Sequence, residues 1–353
     1  MTTALALSVL DQTPVPQGTT AADAVAETLT LARAAERLGY CRYWLAEHHD
    51  TPSLAGAAPE ILVGAVAAAT TTIRVGSGGV LLPYYSPLKV AEVFRMLHTL
   101  YPGRIDLGVG RAAGTGPVAE SALLASGGAS GDEHFAEHLA DLLGFVDGNL
   151  AADHPYAGVR AMPSNFGPSN FGPNVDGGPE VWLLGSSSHS SAAAAAFGLS
   201  FAFAHFITPD FGPQIVAGYR RRFRPGRIDA PQTALAVSVM CADTDAEAQR
   251  HASTTDLWRL GPEGSQRRPI MEPEAVAVHP WTDLERTRAA QSRTKTVVGD
   301  PDTVRARIEA LADDFGVKEM IVVTVCHDPV ARRRSYELLA EAFALGGDRP
   351  DRA

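Results

Sequence analysis

Val181-Trp-Leu-Leu-Gly185-Ser186-Ser187-Ser188-His189-Ser190-Ser191, leading into an alanine run that ends at Ala196, is the stretch that decides the fold. Its first four residues are continuously apolar. That is the pattern of a parallel strand covered on both faces rather than a half-exposed antiparallel one. Gly185 and the hydroxyl cluster break the strand, and alanine, the strongest helix former, follows. A buried strand running directly into a helix is a β/α unit. The same grammar recurs in both directions, with strand-like runs at 5–10, 43–46, 73–81, 105–109, 200–206, 234–240 and 320–325, separated by helical sequence. Several helix starts are legible. Thr20 with Asp23 forms a capping-box pattern ahead of a helix at 25–38, and Gly39 stands where a helix C-terminal glycine belongs. Ser86-Pro87 precedes a helix at 88–100, and Asp300-Pro301 precedes one at 304–315. Eight strands alternating with helices predict an α/β protein, a (β/α)8 TIM barrel. A doubly wound open sheet uses the same alternation, and strand number alone does not separate the two.

Three stretches interrupt the rhythm. Residues 112–131 are rich in small residues. Residues 148–179 are rich in Pro and Gly and repeat Ser-Asn-Phe-Gly-Pro at 164–168 and 169–173, and 261–293 is polar. They read as loop insertions after strand 4 and before the last helix–strand pair, with the tandem repeat a local duplication. No domain boundary is visible, so 1–353 is one domain. With 45% hydrophobic and 20% charged residues the chain can build a sizeable core, and its net charge of −10 argues against nucleic-acid binding. No apolar run is long enough to span a bilayer, and the N-terminus lacks signal-peptide features, so a cytoplasmic setting is expected. Cys41, Cys241 and Cys326 show no metal-ligand spacing and are expected as buried or partly buried fillers.

Chemistry is expected at the carboxyl ends of the strands. Trp44-Leu-Ala-Glu47-His48-His49 ends strand 2 with groups that titrate near neutrality. Side chains alternate along a strand, so at most one histidine faces a pocket squarely, and position alone divides evenly between active-site and packing roles. Ser77-Gly78-Gly79 lies inside strand 3, where glycine marks a bulge or the close approach of a planar ligand. Gly108-Val-Gly110-Arg111 ends strand 4 without the spacing of a dinucleotide fingerprint; Arg111 suits a phosphate or a neighbouring carboxylate. Gly185 with the serines that follow is the strongest local signal. Amides at a helix start, several hydroxyls and the helix dipole favour phosphate over a simple cap. His134-Phe-Ala-Glu137-His138 matches a zinc-peptidase pattern, yet a solvated helix face explains it better.

Together these motifs resemble the bacterial luciferase-like flavin monooxygenase family, in its single-chain oxidoreductase subgroup. The matching pieces run in family order: Leu7-Ser-Val-Leu-Asp-Gln12, Trp44–His49, Val75-Gly-Ser-Gly-Gly-Val-Leu-Leu-Pro83, Gly103-Arg-Ile-Asp-Leu-Gly-Val-Gly-Arg111, Leu184-Gly-Ser-Ser-Ser, Phe197-Gly-Leu199 and Val298-Gly-Asp-Pro301. The resemblance implies FMN, as FMNH2, at the strand ends, with O2 as co-substrate and a separate flavin reductase supplying FMNH2. It implies His48 as the catalytic histidine with Glu47 secondary, and a non-proline cis peptide at Gly78-Gly79. It also implies a cofactor shell of Ser77, Gly78, Gly79, Arg111, Gly185, Ser187, Ser188 and Ser190. A second phosphate arginine is absent from 112–159, leaving Arg111, the serines, the helix terminus or Arg160 to neutralise the phosphate. The implied reaction inserts one atom of O2 into a small organic substrate through a flavin C4a-hydroperoxide, in a homodimer. Few lysines (Lys89, Lys295, Lys318) amid abundant Ala and Arg suggest a GC-rich bacterial source and, by extension, natural-product tailoring in antibiotic biosynthesis. The alternatives are a deazaflavin-dependent hydride-transfer enzyme of the same fold and a non-catalytic flavin-binding barrel.

Overall fold

The computed structural model describes residues 5–111, 115–125, 134–163, 178–261 and 266–346. Ten strands occur in chain order: β1 Ala6–Asp11, β2 Arg42–Leu45, β3 Arg74–Ser77, β4 Val80–Leu81, β5 Ile105–Gly110, β6 Glu180–Gly185, β7 Ser200–Ala204, β8 Thr233–Cys241, β9 Thr296–Gly299 and β10 Glu319–Val323. The helices are α1 Ala21–Leu38, α2 Pro59–Ala69, α3 Pro87–Leu100, α4 Pro117–Leu124, α5 Phe135–Asp147, α6 Ser188–Ala196, α7 Gly212–Arg222, α8 Asp245–Arg259, α9 Pro273–Ala277, α10 Asp283–Arg293, α11 Pro301–Phe315 and α12 Pro329–Ala342. All named strand pairs are parallel, in the order β1-β2-β3-β5-β6-β7-β8. β10 pairs with both β8 and β1 and so closes the barrel. The open-sheet alternative is thereby excluded.

All eight strands read from the sequence form the barrel, with two refinements. The run at 73–81 is two strands, split at Gly78–Gly79, whose peptide bond is cis. Thr296–Gly299 is an additional strand, β9, paired with the upper half of β8. At four residues it is too short to stand out as a periodic run.

Local chemistry accounts for the helix ends. Thr20 and Asp23 satisfy each other's backbone amides at the start of α1, and Gly39 ends it with φ 87°. Asp300 accepts from the amide of Thr303 at 2.8 Å at the start of α11. Ser86 makes no side-chain cap, so Pro87 at the first position carries the start of α3. The stretch 261–293, expected as a loop, holds α9 and α10, whose start Thr282 caps with Glu285. Helix α4 lies within the small-residue stretch 112–131. The Ser-Asn-Phe-Gly-Pro duplication lies outside the described residues.

Side-chain alternation divides the apolar residues into two layers. Leu7, Tyr43, Val75, Leu107, Leu183, Phe201, Leu235 and Met320 face outward and pack under the helices. Leu10, Trp44, Trp182, Ala202, Ala234, Ala236, Ile321 and Val323 fill the barrel. Below them the amino ends of the strands are closed by charge. Arg42 meets Asp106 at 2.8 Å, Glu319 at 3.0 Å and Glu180 at 3.1 Å. Arg74 pairs with Asp106 and with Glu180, and Trp44 Nε1 donates to Asp106 at 2.9 Å. Cys241 and Cys326 are buried and Cys41 is partly buried, all as free thiols. No helix among the described residues is long and apolar enough to cross a membrane.

Candidate active site

In a parallel barrel every strand delivers its carboxyl end to the same rim. Four neighbouring strands, β2, β3 with β4, β5 and β6, carry the residues singled out by sequence there. Past the end of β2, Glu47 is fully buried and both of its oxygens are engaged. Oε2 accepts from the amide of Leu81 at 2.9 Å, and Oε1 accepts from the Tyr85 hydroxyl at 2.7 Å. His49 Nε2 lies 2.7 Å from the same Oε1. Glu47 therefore ties the end of β2 to the end of β4, and His49 is part of the tie. Burial and the adjacent Glu47 push the Tyr85 hydroxyl pKa well up, which keeps it a donor.

His48 is different. Its amide donates to Gly56 at 2.8 Å, which fixes the backbone. Its ring Nδ1 is sealed from solvent and has no hydrogen-bond partner among the described residues. Burial, then Arg267 and His49, hold its pKa down to about 4, so the imidazole is neutral across the physiological range. A neutral ring with an unmet polar atom on a barrel rim is poised to hydrogen-bond a bound molecule.

At the next strands the backbone is bare. A Cβ on Gly78 would meet Leu10 Cδ1 at 2.6 Å, and one on Gly79 would meet the Gly108 carbonyl oxygen at 2.7 Å. Neither position admits a side chain without rearrangement. The Ser77 hydroxyl is fully buried and donates to the Gly108 carbonyl at 2.8 Å. Arg111, half-buried, follows β5 directly.

The start of α6 shows why so many serines stand there. Ser187 is the N-cap and accepts from the Ser190 amide at 3.3 Å, while Ser190 Oγ accepts from the Ser187 amide at 3.3 Å. Gly185 makes this possible, because a Cβ on it would come within 2.6 Å of Ser190 Cβ. Ser188 is exposed at the first helical position. The amides of Ser188 and His189 have no acceptor within the helix, as at any helix start. Hydroxyls, free amides and the positive end of the helix converge, which is the chemistry of a phosphate site. Arg160 is exposed. Its neighbours Met162 and Pro163 bond to Glu92 and Arg95, so the segment runs along α3.

His134 and Glu137 of the zinc-like pattern pair with each other at 2.7 Å on an exposed helix face. Residues not anticipated from sequence also reach the rim. Tyr85 anchors Glu47, and Trp258 donates from the end of α8 to Ser53 Oγ at 2.8 Å. Arg259 follows Trp258 and contacts the inward side of β8. The only sequence cue to these last two was the polar stretch that begins just after them.

A closed barrel whose carboxyl rim gathers a half-buried neutral imidazole, bare glycine backbone and a serine-capped helix start has the layout of a TIM-barrel enzyme. The chain belongs to the luciferase-like monooxygenase family, whose model matches residues 5–319. It is similar to the protein in the crystal structure of apo-MsnO8, with TM-score 0.83 and 42% identity, covering 97% of this chain and 99% of that one. It is 34% identical to the N-acetyl-S-alkylcysteine monooxygenase of Bacillus subtilis (strain 168), over 95% of this chain and 97% of that protein. The fold is shared with the oxygenating constituent of 3,6-diketocamphane monooxygenase from the CAM plasmid of Pseudomonas putida, solved in complex with FMN. That likeness has TM-score 0.69 and 21% identity, covering 98% of this chain and 100% of that one.

Proposed function

We propose that this protein is the oxygenating component of a two-component system, using FMNH2 delivered by a separate reductase to place one atom of O2 on an organic substrate. The observation that carries the reading is the unpartnered, sealed Nδ1 of His48 beside the glycine backbone of β3, β4 and β5. When bound, reduced FMN supplies the electrons that activate O2. Gly78 and Gly79 would lie against its planar ring system. Ser187, Ser188, Ser190, the α6 amides and Arg111 would hold its phosphate, and Gly185 lets Ser190 fold into place.

The chain's own residues then have distinct tasks. Neutral His48 can donate or accept a hydrogen bond at the reacting centre without adding a charge beside the flavin. Glu47 acts through position: its bonds to Leu81 and Tyr85 fix the backbone from which His48 projects. The apolar barrel beneath, with Trp44, Trp182 and Ile321, excludes water from below. Exposed Ile61, Met96 and Leu100 on α2 and α3 support a homodimer formed through barrel helices.

The test supplies FMN, a flavin reductase and NADH in air and follows the absorbance of oxidised flavin as the reductant runs out. A protein-dependent lag in its return is expected, altered by His48→Gln. Unchanged flavin reoxidation together with reduction of a deazaflavin by an alcohol would replace oxygenation with hydride transfer.

A further inference from the structure

β8 changes partner at Ser238: below it the strand pairs with β10, and above it with β9. Met240 and Val298 on this upper extension are covered by Ala248 and Ala252 of α8. Helix α8 thus crosses the barrel mouth and ends there in Trp258 and Arg259. Trp258 packs in the barrel's inner layer and is bonded through Ser53 to the segment that follows His48.

Arg259 is half-buried, and its hydrogen bonds go to two buried hydroxyls, Ser238 Oγ at 2.9 Å and Thr296 Oγ1 at 2.7 Å. Neither partner carries charge. Among the described residues no carboxylate forms an ion pair with it, and Asp256, the acid that acts on it from nearby, gives both oxygens to Arg293. Asp256 is therefore committed to another guanidinium. Arg267 lies over the Trp258 ring at 4.7 Å and adds positive charge that acts on both Arg259 and His48. Burial pulls the Arg259 pKa down to about 10. A cation partly withdrawn from water and hydrogen-bonded only to neutral hydroxyls is left without a counter-charge, and a carboxylate arriving at its planar fork supplies one through charge-assisted bonds.

We propose that Arg259 anchors a carboxylate on the organic substrate, at the β8–β9 side of the rim. The serine-rich start of α6 lies beyond β7 from it, so the substrate anion and the flavin phosphate have separate sites. That this anion belongs to the oxygenated substrate rests on the oxygenase reading above. The arrangement fixes one end of the substrate and leaves its remainder facing His48.

Isothermal titration of the flavin-free protein with 3-phenylpropanoate and with 3-phenylpropanamide tests the anchor directly. The wild type is expected to bind the acid at least about tenfold tighter than the amide. Arg259→Gln should bring the two within about twofold, and Arg259→Lys should keep part of the preference, while FMNH2 affinity stays unchanged in both. If the Gln variant does not fold, Arg259→Lys decides alone: a partial loss of preference supports the anchor. Equal binding of acid and amide by the wild type overturns the proposal, as does a preference undiminished in the variants. Loss of FMNH2 affinity with the preference intact assigns Arg259 to the cofactor and also overturns it. The acid–amide comparison needs no flavin, so failure of the wild type to bind FMNH2 would strike the oxygenase reading alone.

Discussion

The two ends of the barrel are built on opposite principles. At the amino end Arg42 and Arg74 meet Asp106, Glu180 and Glu319, and each charge has a partner of opposite sign. At the carboxyl rim, among the described residues, His48 Nδ1 has no partner, Arg259 hydrogen-bonds only hydroxyls, and glycine leaves the backbone uncovered. The floor's ion-pair network matches its guanidinium groups and carboxylates to one another, whereas these rim residues have no such match among the described residues. On the function proposed above, that contrast separates residues that keep the barrel closed from residues that act.

The largest effect should come from the floor. Asp106→Asn leaves buried Arg42 and half-buried Arg74 short of a counter-charge and should cost about 3–5 kcal/mol, lowering Tm by roughly 10 °C in calorimetry. FMNH2 affinity of the surviving folded protein should not change. If affinity falls with stability, the two ends are not independent.

At the rim, His48 should leave a mark on the pH dependence. Its folded pKa is about 4 against an ordinary 6.5, so the folded state binds its proton less readily than the unfolded state. Stability from this group is intact above about pH 6.5 and is lost as pH falls toward about 4, by up to about 3 kcal/mol. Urea unfolding across this window should show a shallower decline for His48→Gln than for the wild type. The same variant should reduce turnover about a hundredfold or more while leaving Tm at neutral pH within a few degrees.

Smaller changes should follow at α6. Gly185→Ala pushes a Cβ into Ser190 and should cost about 1–3 kcal/mol while weakening flavin binding, read by equilibrium dialysis. Ser187→Ala removes the cap, for about 1 kcal/mol, and a phosphate donor with it. If either variant binds FMNH2 like the wild type, the phosphate lies elsewhere.

The architecture was legible because it rests on local pattern. Buried parallel strands write continuous apolar runs, and Thr20, Gly39 and Asp300 end helices as their chemistry dictates. The four-residue β9 and the helices at 273–277 and 283–293 were not legible, since short elements in polar sequence owe their form to tertiary packing. At the site, the position of Glu47-His48 was readable but their division of labour was not. Only the fold brings Leu81 and Tyr85 to Glu47 and withholds every partner from His48 Nδ1. The floor network and Arg259 were invisible for the same reason: their partners are far apart in sequence, as Arg42 and Glu319 show.

Anaerobic titration with FMNH2, following protein fluorescence, tests the central claim most directly when run on the wild type, Asp106→Asn, Gly185→Ala and His48→Gln. Saturable one-to-one binding is expected, weakened by Gly185→Ala and preserved in Asp106→Asn and His48→Gln. Absence of binding in the wild type, or binding indifferent to Gly185→Ala yet lost with Asp106→Asn, would contradict it.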